Sequence, residues 1–332
     1  MPLEVLSEKN GVAPWKLIFR NNFRHLDVLA DFLELTEEQS SHLSRLAPFS
    51  LNVPLRLAQK MEKGNINDPL FRQFVPFEEE LIFHPSFKRQ PIEEASFRSQ
   101  GKLLHKYQGR VLILCSSACA MHCRYCFRQH FPYEIEQKGF HQELQAIRQD
   151  TSIHEVILSG GDPLSLSDEV LDNLLQDLAA MDHVKRIRFH TRFPIGIPER
   201  IDAGFLKVIQ AYPKQIYIVL HINHPNELDQ ELFDHLKGLQ RLGVILLNQA
   251  VLLRGVNDHA SVISHLCEQL IDQGILPYYL HQLDRVEGAA HFEVSEQEGL
   301  KLLLEASKGL PGYGVPKYVR EIPGEPFKTH LT

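Results

Sequence analysis

A regular alternation of short apolar runs and amphipathic stretches, beginning near residue 110, constrains the fold of this chain more than any other feature. The runs are rich in Val, Ile, Leu and Phe, and after the first gap they recur about every thirty residues, the length of one βα unit. Apolar strands separated by helices predict an α/β fold with a parallel sheet buried on both faces. The predicted strands are residues 110–115, 154–159, 186–191, 215–222, 243–253 and 275–282.

The intervening helices carry start and stop signals. Ser167 is expected to cap the helix after the second strand, whose apolar stripe contains Val170 and four leucines. Gly243 is expected to end a later helix, and Ser295-x-x-Glu298 matches the capping box that starts the last one. Six βα units fall short of the eight in a complete TIM barrel. They fit either a six-unit partial barrel or an open doubly wound sheet, and both bind ligands at the C-terminal ends of the strands.

The segments that flank this repeat have a different character. Residues 1–100 contain helical pieces and a proline-punctuated stretch, and we interpret them as a helical N-terminal extension. Residues 101–310 are assigned to the sheet and its helices. Residues 311–332 are rich in Pro and Gly, so we expect them to form an extended strap.

Composition excludes several classes of protein. The 332 residues carry 35 Lys and Arg against 42 Asp and Glu, a net charge of −7 that does not favour nucleic acid or an anionic membrane. The first residues lack the pattern of a signal peptide, and no apolar run approaches the ~20 residues of a membrane helix. We therefore expect a soluble, cytoplasmic protein without a nucleic-acid or membrane partner.

Four of the five cysteines lie within twelve residues, at Cys115, Cys119, Cys123 and Cys126. The last three form C-x3-C-x2-C with an aromatic residue before the final cysteine. Three thiolates on a short loop suit a [4Fe–4S] cluster, and with only three ligands one iron stays open. A structural zinc site completed by Cys115 or His122 is an alternative, as is a group of inert core thiols.

The cysteine motif after the first strand resembles the signature of radical S-adenosylmethionine (SAM) enzymes, whose fold is a partial (β/α)6 TIM-type barrel. Further segments extend the resemblance to the lysine 2,3-aminomutase family over residues 105–330. Within that family the chain is more similar to the short bacterial members associated with (R)-β-lysine modification of elongation factor P. The segments are CRYCFRQHFPY, SGGDPL, INHPNE, NQAVLLRGVND, residues 284–292 and GYGVPK…PGEPFK.

This resemblance implies an isomerase that converts L-α-lysine to (R)-β-lysine with a [4Fe–4S] cluster, SAM and pyridoxal 5′-phosphate (PLP). It implies that Lys328 carries PLP as a Schiff base, so the strap would cover the barrel mouth, and that Arg110 binds the PLP phosphate. Contacts to SAM are implied for Ser159, Gly160, Gly161, Asp162, His221 and Gln249.

The resemblance further implies that Arg128 binds the substrate carboxylate and that Asp284 and Glu321 hold its ε-ammonium. Longer family members have Asp where this chain has Glu321, so the same chemistry on glutamate or another amino acid is an alternative. A non-enzymatic Fe–S or zinc-binding module is an alternative of another class. The implied partners are a reductase or flavodoxin-type electron donor and, through its product, an elongation factor P ligase; a homo-oligomer is left open.

Overall fold

The computed structural model describes residues 13–133 and 139–332. Within these ranges a ten-stranded sheet has its strands in the order of the sequence, with β3 to β9 parallel and β1, β2 and β10 antiparallel. The strands are β1 (Arg98–Gln100), β2 (Leu103–Tyr107), β3 (Arg110–Ser116), β4 (Glu155–Gly160), β5 (Arg186–Thr191), β6 (Gln215–His221), β7 (Ile245–Val251), β8 (Leu276–His281), β9 (Lys317–Arg320) and β10 (Thr329–His330).

This strand order decides between the two architectures that the sequence allowed. A doubly wound sheet reverses its order at a switch point, whereas here the parallel strands follow one another without reversal. The partial TIM-type barrel is therefore confirmed. The six predicted strands are β3 to β8, and β9 is a seventh parallel strand within the segment expected to be a strap. That segment is extended, but it is built into the sheet.

The described α-helices follow the predicted signals at their ends. Ser167 accepts a hydrogen bond from the Val170 amide at 3.4 Å, Ser295 caps the helix Glu296–Ser307, and Gly243 adopts φ +80° after the helix Gln230–Arg241. Val170 itself is 37% exposed, so its predicted place in the buried stripe is wrong. None of these helices has the length and apolarity needed to cross a bilayer. The helices are α1 (Pro14–Arg20), α2 (Leu26–Phe32), α3 (Glu37–Ser41), α4 (Leu55–Lys60), α5 (Pro69–Phe74), α6 (His141–Gln149), α7 (Asp168–Ala179), α8 (Phe193–Gly196), α9 (Ala203–Ala211), α10 (Gln230–Arg241), α11 (Ala260–Asp272) and α12 (Glu296–Ser307).

Residues 13–77 share one hydrophobic core with the sheet and its helices. The Trp15 ring packs edge-on against Phe193 at 5.6 Å between centroids, and the Arg200 guanidinium covers Trp15 at 4.7 Å. Cys115 and Cys267 are buried among apolar side chains, as expected. The N-terminal segment therefore contributes directly to the packing beneath the strand ends.

β5 is not buried equally on its two faces. In β5, Ile187, Phe189 and Thr191 are buried, whereas the alternating residues Arg188 and His190 are half-buried and line a cavity. Because successive side chains of a strand point to opposite faces, one face packs on helices and the other remains open to a ligand.

Candidate active site

A large cavity lies against the inner face of the sheet. All fourteen predicted site residues line it, although they come from seven separate segments of the chain. It extends from the strand ends to Arg110 at the start of β3, which is deeper than the strand-end site that the sequence predicts. These residues are Arg110, Cys119, Cys123, Cys126, Arg128, Ser159, Gly160, Gly161, Asp162, His221, Gln249, Asp284, Glu321 and Lys328.

The loop that carries the three cysteines is held by side chains of the N-terminal segment. The Asn52 amide donates to the Cys119 carbonyl at 3.0 Å, and the Asn22 amide donates to the Ala120 carbonyl at 2.7 Å. The two asparagines are also hydrogen-bonded to each other at 2.8 Å. Both are buried, so these contacts are shielded from water and fix the loop backbone.

The three thiols fit a cluster better than a single metal ion. Burial raises the pKa of Cys126 to about 12 and raises those of Cys119 and Cys123, so their thiolates need a bound cation. Within the described ranges, no three His, Cys, Asp or Glu side chains converge as a zinc ion requires. The proposed fourth zinc ligands are also engaged, since Cys115 donates to the Ile113 carbonyl and His122 Nδ1 lies 2.7 Å from the Ser50 carbonyl. A [4Fe–4S] cube binds each thiolate at a different corner, so its ligands need not meet at one point.

The segment from Ser159 to Asp162 supports the cysteine loop through its backbone. The Gly161 amide donates to the Ser116 carbonyl at 2.6 Å, and the Asp162 amide donates to the Ala118 carbonyl at 2.7 Å. A Cβ atom at Gly161 would lie 2.4 Å from the Ala118 carbonyl oxygen, so only glycine permits this approach.

The side chain of Asp162 joins the ends of two strands. Its carboxylate accepts hydrogen bonds from the Thr191 hydroxyl at 2.7 Å and from the amides of Leu164, Arg192 and Phe193 at 2.8–3.0 Å. Burial raises its pKa to about 6 despite these donors. The carboxylate is thus already satisfied by protein donors, and the SAM contact implied for this residue stays a prediction.

The guanidinium of Arg128 is already paired with the carboxylate of Glu94, a residue that the sequence did not indicate. Its Nε and Nη2 atoms each donate to Glu94 at 2.6 Å, and Nη1 donates to Ser159 Oγ at 3.1 Å and to the Gly160 carbonyl at 3.2 Å. Arg128 is 7% exposed. Glu94 therefore occupies the position that the family resemblance implies for the substrate carboxylate.

The two acids expected to bind an ammonium have different surroundings. Glu321 accepts from Lys328 Nζ at 2.7 Å, from the Tyr107 hydroxyl at 2.5 Å and from Lys106. Burial alone would raise the pKa of Glu321, but these donors lower it to about 2. Asp284 has no side-chain hydrogen bond within the described ranges, and burial raises its pKa to about 7 against the opposing charge of Lys328. Asp284 is therefore the acid left open to a cation.

His221 and Gln249 face each other across β6 and β7. Gln249 Nε2 lies 2.9 Å from His221 Nε2, and burial lowers the pKa of His221 to about 3. The imidazole is therefore neutral and accepts the amide proton. The pair presents uncharged polar atoms to the cavity.

Several cavity residues were missed by the sequence reasoning. Arg188 was missed and pairs with Glu155 at 2.7 Å. Tyr107 was also missed, and its ring lies 4.6 Å from the guanidinium carbon of the predicted residue Arg110. The period-two alternation of β5 was a usable signal for Arg188, since it shares a face with His190. Glu94 lies on a short 3₁₀ helix in an irregular stretch and has no such signal.

Comparison with known proteins agrees with this geometry. A family model described as "4Fe-4S single cluster domain" matches residues 107–195, which include the cysteine loop. The partial barrel and the cysteine loop at its strand ends define an iron–sulfur protein with a partial TIM-type barrel. L-lysine 2,3-aminomutase of Escherichia coli is 44% identical, covering 92% of this chain and 90% of the relative, and the one of Haemophilus influenzae is 42% identical, covering 95% and 94%. The chain belongs to the lysine 2,3-aminomutase family and is an isomerase.

More distant matches add detail. L-lysine 2,3-aminomutase of Clostridium subterminale is 30% identical over 95% of this chain but only 77% of its own length. A radical SAM methyltransferase from Sphaerobacter thermophilus is similar with 16% identity and a TM-score of 0.48, over 65% of this chain and 68% of its own. The matched model agrees with the predicted [4Fe–4S] cluster. The alternative of a non-enzymatic binding module is wrong.

Proposed function

We propose that this enzyme uses SAM and PLP to convert L-α-lysine to (R)-β-lysine. The observation that carries the proposal is that the cysteines, Lys328, Arg128 and an unpaired acid, Asp284, line one cavity. Such a cavity offers an anion site and a cation site to a substrate that carries both charges. The relatives named L-lysine 2,3-aminomutase support the same substrate.

Different residues of the cavity bind the cofactors and the substrate. When bound, the cluster and SAM supply a hydrogen-abstracting radical, and PLP supplies the π system through which an amino group migrates. Glu321 accepts a hydrogen bond from Lys328 Nζ at 2.7 Å. Because the pKa of Glu321 is about 2, its carboxylate stays anionic, orients the amine and does not take its proton. Asp284 then binds the ε-ammonium of lysine. Arg128 binds the carboxylate of the substrate after that carboxylate has displaced Glu94.

We also propose that the β-lysine serves the modification of elongation factor P by a partner ligase. The chain covers 90–97% of the relatives from Escherichia coli, Haemophilus influenzae and Buchnera aphidicola, but about three quarters of the clostridial one. It thus matches these three relatives over nearly their whole length. We place the enzyme in the cytoplasm with a flavodoxin-type electron donor, because its free thiols and cluster suit reducing conditions.

An anaerobic assay tests the reaction and its substrate. The reconstituted enzyme is incubated with SAM, dithionite, PLP and a panel of amino acids that includes lysine and glutamate. We expect β-lysine as the main product and no product from the Cys126→Ala variant. Turnover of glutamate in preference to lysine would overturn the substrate, and turnover by Cys126→Ala would overturn the radical mechanism.

Borohydride trapping tests the role of Lys328. Reduction of the PLP-loaded enzyme should fix the cofactor to Lys328 in a peptide map, and Lys328→Arg should bind no reducible PLP. Label on another lysine would show that the assignment is wrong.

The link to elongation factor P is tested in cells. In a strain that lacks this enzyme, the mass of elongation factor P should fall by one lysyl group. The wild-type gene should restore the mass, and the Cys126→Ala variant should not. An unchanged mass in the deletion strain would remove the link while leaving the reaction untouched.

A further inference from the structure

A buried arginine outside the cysteine motif lies against one of the cluster-binding sulfurs. Arg192 follows β5, and its Nη1 donates to Cys123 Sγ at 3.3 Å and to the Tyr125 hydroxyl. The residue is 6% exposed, so its charge is not dispersed by water. A permanent cation therefore touches a ligand atom of the iron–sulfur site.

A second set of contacts fixes the direction of this guanidinium. Nη2 donates to Glu227 at 2.6 Å and to the Gln73 side-chain oxygen at 2.7 Å, and the Arg192 amide donates to Asp162 at 2.8 Å. Glu227 and Gln73 are fully buried. Each η proton thus has its own acceptor, and the planar group cannot turn away from Cys123 without breaking a buried ion pair.

The consequence concerns electron transfer to the cluster. Reduction adds one electron and one negative charge to a cluster bound by three thiolates, and potentials depend on charge and on hydrogen bonds to the sulfurs. We propose that Arg192 is a positioning residue that raises the reduction potential of the cluster through its hydrogen bond to Cys123. A one-electron donor of modest strength can then reduce the cluster. The inference rests on the proposed function, since it requires the cluster on these cysteines.

The chain offers a matched control for the test. Arg124 lies within the cysteine loop and forms a buried bidentate pair with Glu80, with Nε–Oε1 at 2.8 Å, but it contacts no cysteine sulfur in the described ranges. We compare the double variants Arg192→Gln/Glu227→Gln and Arg124→Gln/Glu80→Gln. Removing both partners of each pair avoids a lone buried charge and keeps the net charge unchanged.

The measurement is a redox titration of the anaerobically reconstituted protein, followed by electron paramagnetic resonance of the reduced cluster, without lysine or PLP. We expect the Arg192 double variant to shift the reduction equilibrium at least tenfold toward the oxidised cluster, about 59 mV for one electron. The Arg124 double variant should titrate like the wild type. Equal shifts in the two variants, or none in the first, would overturn the proposal.

A single variant covers the case in which the double variant fails to assemble a cluster. Arg192→Lys keeps the positive charge but loses the two-nitrogen guanidinium. The reduction equilibrium of its cluster should therefore shift toward the oxidised form by a smaller factor than in the double variant. A wild-type equilibrium in Arg192→Lys would overturn the proposal. If the wild-type enzyme converts lysine but the Arg192 variants leave the reduction equilibrium of the cluster unshifted, this inference alone fails. If the Arg192 variants shift that equilibrium but the wild-type enzyme does not convert lysine, only the proposed substrate fails.

Discussion

At the scale of single residues, neighbours give two similar acids different roles. Glu321 is satisfied by three donors and has a pKa of about 2, whereas Asp284 has no such donors and has a pKa of about 7. Both belong to stretches that resemble the family, and their residue types do not separate them. The partners that do so, Lys106 and Tyr107, lie more than 200 residues away in sequence.

Asp284 should control the acid side of the pH profile. A carboxylate attracts an ammonium only when ionised, so kcat/KM for lysine should fall as pH drops through about 7. Asp284→Asn should lower kcat/KM about a hundredfold and flatten this limb. Asp284→Glu is the control and should retain the limb. Full lysine turnover by Asp284→Asn would contradict its role.

Glu94 should compete with the substrate for Arg128. Because its carboxylate occupies both donors of the Arg128 fork at 2.6 Å, a substrate carboxylate has to displace it. Glu94→Gln removes the competing charge and should lower KM for lysine several-fold, about 1 kcal/mol, with a smaller change in kcat. Steady-state kinetics measure this. A raised KM would show instead that Glu94 orients Arg128 for binding.

At the scale of elements, the last helix supports the strand that precedes Lys328. Gly299 in α12 faces Tyr318 in β9, where a Cβ atom would lie 2.6 Å from the ring carbon Cζ and 2.8 Å from a methyl of Leu252. Tyr318 is buried and donates to the Gln282 side chain. The close approach of α12 and β9 therefore depends on a residue without a side chain.

Gly299→Ala should weaken this junction. The clash should cost more than the roughly 1 kcal/mol of helix propensity that alanine gains, giving a net loss of about 1–2 kcal/mol in the free energy of unfolding. Urea unfolding measures the loss, and borohydride trapping should label Lys328 less completely. The matched control is Gly238→Ala in α10, where the nearest atoms to an added Cβ belong to the side chain of Leu206 at 3.2–3.9 Å. Equal stability of Gly299→Ala and the wild type would contradict this packing.

Local patterns predicted β3 to β8 and the helix ends at Ser167, Gly243 and Ser295, because periodicity and caps act within a few residues. They did not predict β9, a four-residue strand in a segment rich in Pro and Gly whose pairing with β8 depends on tertiary contacts. The same limit applies to the site. The cysteine spacing is local, but Glu94 and Arg192 act on partners 34 and 69 residues away, and no short-range pattern records such contacts.

At the scale of the whole molecule, the N-terminal segment belongs to the site as well as to the core. Asn22 and Asn52 hold carbonyls of the cysteine loop, and the Gln73 carbonyl accepts from the Arg124 amide at 2.9 Å. The cysteine loop is therefore positioned between the N-terminal segment and the sheet.

Removing these contacts should impair cluster binding before it impairs folding. Asn22→Ala/Asn52→Ala leaves two loop carbonyls without buried donors, at about 1–3 kcal/mol each. Iron and sulfide content after anaerobic reconstitution should fall well below that of the wild type, while circular dichroism stays unchanged. Asn67→Ala, at an exposed turn of the same segment, is the control. Full iron content in the double variant would contradict the proposed support.

The order of the strands also sets an order in time. Because the strands pair in sequence order, and N-terminal parts fold first at about 5–20 residues per second of synthesis, the loop that ends at Cys126 leaves the ribosome about 10–40 s before Lys328, some 200 residues later. The nascent chain can thus offer its three thiols to the iron–sulfur assembly machinery while the amine for PLP has yet to be synthesised. We therefore expect the three thiols to be available to iron before Lys328 is available to PLP.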